Sequence, residues 1–214
     1  MLGLVIFDCD GVLVDSEPIV NRVFVDMLTE SGYSLDYEHT LREFSGGTMA
    51  TRLESTHASL GWVAPDNFAA DFDRRLLAAF ESELRPVQGI RAVLEHLPGP
   101  WCVASNGTPQ DIRTRLGLAG LLERFDPRLF SAAEVQRGKP APDLFLHAAS
   151  AMGVACDRCV VVEDSVPGVR AGVAAGMTVL GFSALTSSDA LCEAGAAVFD
   201  NMSLLPSLLQ ALAA

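Results

Sequence analysis

Short polar segments that could carry chemistry follow several apolar runs of the sequence. They supply four carboxylates, one hydroxyl, one amide and one ammonium group: Asp8, Asp10, Glu163, Asp164, Ser105, Asn106 and Lys139. Four carboxylates in one site repel one another, and burying uncompensated charge is costly. A hard divalent cation with oxygen ligands removes that cost, and Mg²⁺ suits a site beside a phosphate. These residue types predict phosphoryl transfer, in which one Asp attacks phosphorus and another carries the proton of the leaving oxygen.

Lys139 is the only lysine among 15 basic residues, and all the others are arginine. A general bias toward arginine codons explains the ratio but leaves the one lysine unexplained. Because Arg and Lys are not interchangeable at a tight site, we expect Lys139 to have a geometric role.

The apolar runs in front of the polar segments are typical of buried parallel strands. These runs are Leu2–Phe7, Trp101–Ala104, Cys159–Val162, Thr178–Phe182 and Ala197–Phe199. Helical patterns separate them, at Ile90–Leu97, Pro109–Leu116, Pro142–Met152, Val166–Ala175 and Leu204–Leu212. The alternation predicts an α/β fold, a doubly wound parallel sheet with a Rossmann-like core. Ligands bind at the carboxyl ends of such strands, so the polar segments should meet at one edge.

The segment from about Glu17 to Glu83 interrupts this alternation. It contains four helical patterns and no convincing strand, at Pro18–Ser31, Glu38–Phe44, Thr48–Gly61 and Asp66–Glu83. We therefore predict a Rossmann-like core of residues 1–15 and 87–214 and an α-helical cap of residues 16–86. In the cap, Gly46 could let the backbone approach a substrate, and Arg52 could meet a substrate anion. An ordinary helix start and a solvated arginine are the alternatives.

Composition excludes several classes of function. The net charge of −12 argues against a nucleic-acid-binding protein, because a polyphosphate would be repelled. No stretch approaches the roughly 20 consecutive apolar residues of a membrane span. The five cysteines are odd in number and scattered, which favours a reduced, cytoplasmic setting. We expect a monomer or weak dimer whose partner is a small phosphorylated metabolite.

Four ordered motifs resemble those of the haloacid dehalogenase-like hydrolase superfamily. They are Phe7–Val12, Ser105–Gly107, Gly138–Pro140 and Val162–Ser165, and their spacing fits along essentially the whole chain. The inserted helices resemble the small helical cap of the branch that contains phosphatases and β-phosphoglucomutase. Further stretches resemble bacterial 6-phosphogluconate phosphatases: Phe80–Leu84, Leu129–Ser131, Val135–Arg137, His147–Ala149 and Ala151–Met152.

The resemblance implies a role for each motif residue. Asp8 would be the nucleophile that forms an aspartyl-phosphate, and Asp10 would be the general acid and then the general base. Ser105 and the amide of Asn106 would bind phosphate oxygens. Lys139 would bridge the phosphate and Asp8.

The same resemblance implies a Mg²⁺ site. Asp8, the backbone carbonyl of Asp10 and Asp164 would hold the ion, with Glu163 adjacent to it or in the surrounding layer of contacts.

The implied function is Mg²⁺-dependent hydrolysis of a small phosphate monoester, a sugar phosphate or a sugar-acid phosphate. A β-phosphoglucomutase-like phosphomutase is the alternative, but the known mutases carry a histidine near the start of the first cap helix and an arginine after the cap glycine. Here Pro18–Asn21 contains no histidine, and Gly46 is followed by Gly47. A phosphate-ligand-binding protein on the same fold is the non-enzymatic alternative, although no required group is missing.

Overall fold

A computed structural model of the chain describes residues 2–37, 40, 49–97 and 99–213. Within these ranges a six-stranded sheet has the strand order β3-β2-β1-β4-β5-β6, and every pair of neighbouring strands is parallel. The strands are β1 (Leu4–Phe7), β2 (Trp101–Ser105), β3 (Leu129–Ser131), β4 (Cys159–Glu163), β5 (Thr178–Phe182) and β6 (Ala197–Phe199). The chain winds outward from β1 in one direction and then from β4 in the other. The predicted doubly wound parallel sheet is confirmed.

Ten α-helices are described, three of them in the insert after β1. The insert helices are α1 (Glu17–Glu30), α2 (Met49–Leu60) and α3 (Phe68–Glu83). The others are α4 (Ile90–His96), α5 (Pro109–Leu118), α6 (Leu122–Phe125), α7 (Asp143–Ala151), α8 (Val166–Ala174), α9 (Ser188–Glu193) and α10 (Leu205–Ala213). None of these helices is long and apolar enough to cross a bilayer. Of the predicted helix at Glu38–Phe44, all but Thr40 lies outside the described residues.

The helices cover both faces of the sheet because the strand side chains alternate. In β1, Val5 and Phe7 belong to one apolar core, while Leu4 and Ile6 belong to the other. The first core continues without a break into the insert. There α3 buries every fourth residue, a period that fits one helix face. The ring of Phe24 in α1 packs edge-on against two of these residues, Phe68 and Phe72.

Two short segments connect the insert to the sheet and lie side by side. The amide of Asp15 donates to the carbonyl of Arg85 at 2.9 Å, and the amide of Val87 donates to the carbonyl of Leu13 at 3.0 Å. Among its described residues the insert contains no β-strand of its own. The division at residues 15/16 and 86/87 stays a prediction, and the paired segments lie at these two boundaries.

Candidate active site

The carboxyl ends of β1, β2 and β4 meet at the edge of the sheet that faces the insert. Phe7, the last residue of β1, pairs with Val103 on one side and Val162 on the other. The polar segments that follow these strands therefore converge on a cleft of about 310 Å³ between sheet and insert. All the predicted site residues that the structure describes line this cleft: Asp8, Asp10, Arg52, Ser105, Asn106, Lys139, Glu163 and Asp164. The prediction for Gly46 lies outside the described residues.

Lys139 joins two of the carboxylates. Its Nζ donates to Oδ1 of Asp8 at 2.5 Å and to Oε1 of Glu163 at 2.7 Å, and its side chain is only 4% exposed. Burial alone lowers the pKa of Lys139, but the two adjacent carboxylates outweigh burial and raise it overall. The ammonium group therefore stays charged, next to the predicted nucleophile.

Asp8 and Asp164 are buried carboxyls with raised pKa values. Burial raises the pKa of Asp8 to about 7, with Lys139 opposing the shift and Glu163 and Asp10 adding to it. Burial, and then the charges of Glu163 and Asp8, also raise the pKa of Asp164. Asp164 is 4% exposed, and no described residue donates a hydrogen bond to its carboxylate. The positive charge around these two carboxyls is therefore too small to stabilise both of them in the ionised form.

These two carboxylates fit a hard divalent cation. A cation in the cleft would supply the missing positive charge, and oxygen donors are the ligands that Mg²⁺ prefers. Gly11 keeps the space beside Asp164 open, because a Cβ at this position, where φ is +76°, would overlap that carboxylate. Among the described residues no three His, Cys, Asp or Glu side chains form a metal site on their own. The ion therefore needs another oxygen, such as the predicted backbone carbonyl of Asp10.

Both carboxylate oxygens of Glu163 accept hydrogen bonds from other groups of the protein. Its Oε1 accepts from Lys139, and its Oε2 accepts from the amides of Asp164 and Ser165 and from the Ser165 hydroxyl, at 2.9–3.0 Å. A side chain at Gly168, in the first turn of α8, would overlap this carboxylate. These contacts favour a role for Glu163 in orienting Lys139, in place of the direct metal contact that the sequence left open.

Asn106 and Ser105 follow β2 and shape the same edge. The Asn106 side chain accepts from the amide of Lys139 at 2.9 Å and donates to the carbonyl of Lys139 at 3.2 Å. It thereby fixes the backbone from which the lysine side chain extends. Ser105 is 2% exposed and its Oγ accepts from the amide of Gly107 at 3.1 Å, which leaves the hydroxyl proton available for a ligand oxygen.

Asp10 has a partner that the sequence reasoning missed. Its Oδ2 accepts from Nη1 of Arg115 at 2.5 Å, and its Oδ1 accepts from the hydroxyl of Ser16 at 2.6 Å. Arg115 lies on α5, 105 positions away in the chain. A usable signal was present, because α5 begins four residues after Ser105 and Arg115 lies beside its buried residues Ile112 and Leu116.

Arg52 lines the cleft but is already paired. Its side chain is 2% exposed and its Nη2 lies 3.1 Å from Oε2 of Glu17, the first residue of α1. The structure therefore excludes a solvated arginine. A substrate anion at this position would have to compete with a buried ion pair.

Comparison with known proteins assigns the family. The model of the haloacid dehalogenase-like hydrolases matches residues 2–176. The chain belongs to this family. This haloacid dehalogenase-like hydrolase is 36% identical to the 6-phosphogluconate phosphatase of Escherichia coli (strain K12) over 208 residues, which cover 97% of this chain and 94% of the relative. It is 37% identical to hexitol phosphatase A of the same organism over 194 residues, covering 88% and 86% of the two chains.

A solved structure of the same family supports the fold. A hydrolase from Deinococcus radiodurans R1, crystallised with bound phosphate and sodium, superposes with a TM-score of 0.86 at 32% identity, covering 99% of this chain and 96% of that one. The predictions of the family and of the Rossmann-like fold are both confirmed.

Proposed function

We propose that this chain is a Mg²⁺-dependent phosphatase that hydrolyses the monoester of a small sugar or sugar-acid phosphate through an aspartyl-phosphate on Asp8. The observation that carries the proposal is the position of the Asp8 carboxylate. One of its oxygens is bound to a buried ammonium group, and the cleft that it lines also contains Asp10, Ser105 and Asp164.

The proposed reaction consists of two successive displacements at phosphorus. Asp8 attacks phosphorus, the bond from phosphorus to the leaving oxygen breaks, and Asp10 gives that oxygen its proton. A water molecule then attacks the aspartyl-phosphate, Asp10 takes a proton from the water, and the bond from phosphorus to Asp8 breaks to release inorganic phosphate. Lys139 and Ser105 bind phosphate oxygens. Mg²⁺, when bound, supplies positive charge where the phosphate and the carboxylates meet.

The cleft supports a small substrate. Its volume of about 310 Å³ lies at the small end of the range of small-molecule sites. The insert lines it with apolar side chains, among them Val20, Phe72 and Leu76, and with the carboxylate of Asp73. The two relatives are named for the phosphates of a sugar acid and of hexitols, and both substrate classes match this size.

The test is phosphate release from a panel of hexose, hexitol and sugar-acid phosphates, with Mg²⁺ and with a chelator. We expect Mg²⁺-dependent release of inorganic phosphate. Because the amide is nearly isosteric but a poor nucleophile, Asp8→Asn should lower kcat by at least about 100-fold without changing the fold. Asp189→Asn, at an exposed position of α9, is the matched control and should leave kcat unchanged.

Three outcomes would contradict the proposal. Isomerised sugar phosphate without phosphate release would indicate a mutase. Tight binding without turnover would indicate a binding protein, and full activity of Asp8→Asn would remove the nucleophile.

A further inference from the structure

Both oxygens of the Asp10 carboxylate are held by side chains from different parts of the chain. Arg115 donates to Oδ2 at 2.5 Å and Ser16 donates to Oδ1 at 2.6 Å. Hydrogen bonds in which the donor or the acceptor is charged are shorter and stronger than neutral ones. With one donor on each oxygen, the carboxylate has a single orientation in the cleft.

Arg115 itself is fixed from two sides. Its helix, α5, starts at a capping box between Thr108 and Asp111 and is anchored in the core by Ile112 and Leu116. On the other side, the Arg115 guanidinium lies 5.5 Å from the centre of the Phe80 ring in α3, a distance at which a cation is attracted to an aromatic face. Arg115 thus links the sheet domain, Asp10 and the insert.

Arg115 and Lys139 contact different carboxylates of the cleft. The charge of Arg115 is offset by Asp10 at 2.5 Å, so Arg115 is engaged before any substrate arrives. Lys139 contacts Asp8 and Glu163. The two cations therefore have separate partners, and the partner of Arg115 is the proposed general acid.

We infer that Arg115 is a positioning residue that directs the carboxyl of Asp10 toward the leaving oxygen and ties this orientation to the insert through Phe80. The inference rests on the proposed function. Arg115 does not contact the reacting atoms, so its effect depends on how much the leaving group needs a proton. A sugar or hexitol leaves as an alkoxide unless it is protonated, whereas a dinitrophenolate leaves readily without a proton.

The experiment compares two substrates in two matched variants. Arg115→Met keeps an unbranched stem against Phe80 and removes the charge and the hydrogen bond. Arg113→Met lies two positions earlier on α5, where the arginine is exposed and pairs with exposed Asp126. The substrates are the best alkyl phosphate of the panel and 2,4-dinitrophenyl phosphate, each assayed for kcat and KM with Mg²⁺.

We expect Arg115→Met to lower kcat/KM for the alkyl phosphate by about 10- to 100-fold, because a misplaced general acid loses most of its contribution. For the dinitrophenyl ester the change should stay below about threefold. Arg115→Lys, which restores the charge but not the planar fork, should fall between Arg115→Met and the wild type. Arg113→Met should behave as wild type with both substrates.

Three results would overturn the inference. They are an equal loss with both substrates, an unchanged kcat/KM with the alkyl phosphate, and a gain with the alkyl phosphate. If circular dichroism shows that Arg115→Met does not fold, Ser16→Ala serves as the second variant, because it removes the other donor to Asp10. It should show the same selective loss of kcat/KM for the alkyl phosphate, but a smaller one. An equal loss with both substrates, or no loss, in Ser16→Ala would overturn the inference. Failure of the proposed function looks different, because the wild type would then release no phosphate.

Discussion

Asp10, Arg115 and Lys139 show how single residues balance the charge of the site. The four carboxylates that follow β1 and β4, those of Asp8, Asp10, Glu163 and Asp164, lie in the cleft beside Arg115 and Lys139, which contact three of them. With all four acids ionised, one divalent cation brings the formal charge of this group to zero. Arg115 is the residue of this charge balance that the sequence analysis did not include.

Lys139→Arg tests whether the one lysine of the chain is there for its shape. A compact ammonium group contacts Asp8 and Glu163 from one point, whereas a guanidinium is larger and prefers a two-pronged contact. We expect Lys139→Arg to keep the fold and lower kcat/KM by roughly 100-fold, about 2.7 kcal/mol in transition-state stabilisation. Steady-state kinetics measure this.

The reverse exchange at a surface position is its control. Arg137 is exposed and pairs with Asp143, so Arg137→Lys should change kcat/KM by less than about threefold. If Lys139→Arg performs as well as this control, the lysine has no geometric role.

The sequence predicted which residues line the cleft better than it predicted the contacts that hold them in place. Asp8, Ser105, Lys139 and Asp164 follow strand ends or sit in short motifs, so local pattern was enough to find them. The contacts of Arg115 with Asp10 and of Gly168 with Glu163 depend on packing between separate elements. No local pattern specifies such contacts.

At the scale of elements, length and apolar character together decided what could be predicted. The apolar runs, and the helical patterns that fall within the described residues, correspond to observed elements within a few residues. Three short elements were missed, β3 (Leu129–Ser131), α6 (Leu122–Phe125) and α9 (Ser188–Glu193). These elements have three to six residues, too few to show a hydrophobic period, and polar residues interrupt them. The equally short β6 was predicted because all three of its residues are apolar. These short elements form because they pair with a neighbouring strand or pack against a neighbouring helix.

The buried ion pair between Glu17 and Arg52 connects α1 to α2 and allows a prediction about the insert. Arg52→Met leaves the Glu17 carboxylate buried without this partner, which should lower the free energy of unfolding by about 3–5 kcal/mol. The double variant Glu17→Gln/Arg52→Met removes both charges and should recover to within about 2 kcal/mol of wild type. Urea unfolding monitored by circular dichroism measures all three proteins.

An exposed pair in the same insert provides the comparison. Arg75 contacts Glu30 at 2.8 Å on the surface, so Arg75→Met should cost at most about 1 kcal/mol. If Arg52→Met is as stable as wild type but has a higher KM, then Arg52 binds the substrate and does not stabilise the contact between α1 and α2.

For the whole molecule, the parallel topology explains why function could be inferred before any contact was known. Every strand of the sheet runs in the same direction, so residues far apart in sequence come to one edge without any specific pairing between them. The insert then covers that edge and forms the other wall of the cleft. Topology brings the carboxylates together in a buried place, and we therefore expect the stability of the fold to depend on pH and on a cation.

Metal-free protein should therefore lose stability as the pH rises, and Mg²⁺ should restore it. The pKa values of Asp8 and Asp164 are raised in the folded state, that of Asp8 to about 7. Between pH 4 and pH 7, roughly, the folded protein therefore binds protons on these carboxyls that the unfolded protein has released. Their stabilising effect is complete only below the ordinary carboxyl pKa of about 4. This contribution disappears as the pH rises through about 7, where a cation can take the place of the protons.

Differential scanning calorimetry at pH 5.5 and pH 8, with chelator and with Mg²⁺, tests this coupling. At a Mg²⁺ concentration of about 100 times Kd, binding stabilises by about 2.7 kcal/mol, which for a chain of this size raises Tm by about 5–10 °C. We expect that shift at pH 8 and a much smaller one at pH 5.5, because protons compete with the ion. Asp164→Asn should abolish the Mg²⁺-dependent rise in Tm. Because it removes one buried charge, it should also have a higher Tm than metal-free wild type at pH 8. The exposed variant Asp189→Asn should respond as wild type, and a Mg²⁺ shift of equal size in Asp164→Asn would place the cation elsewhere.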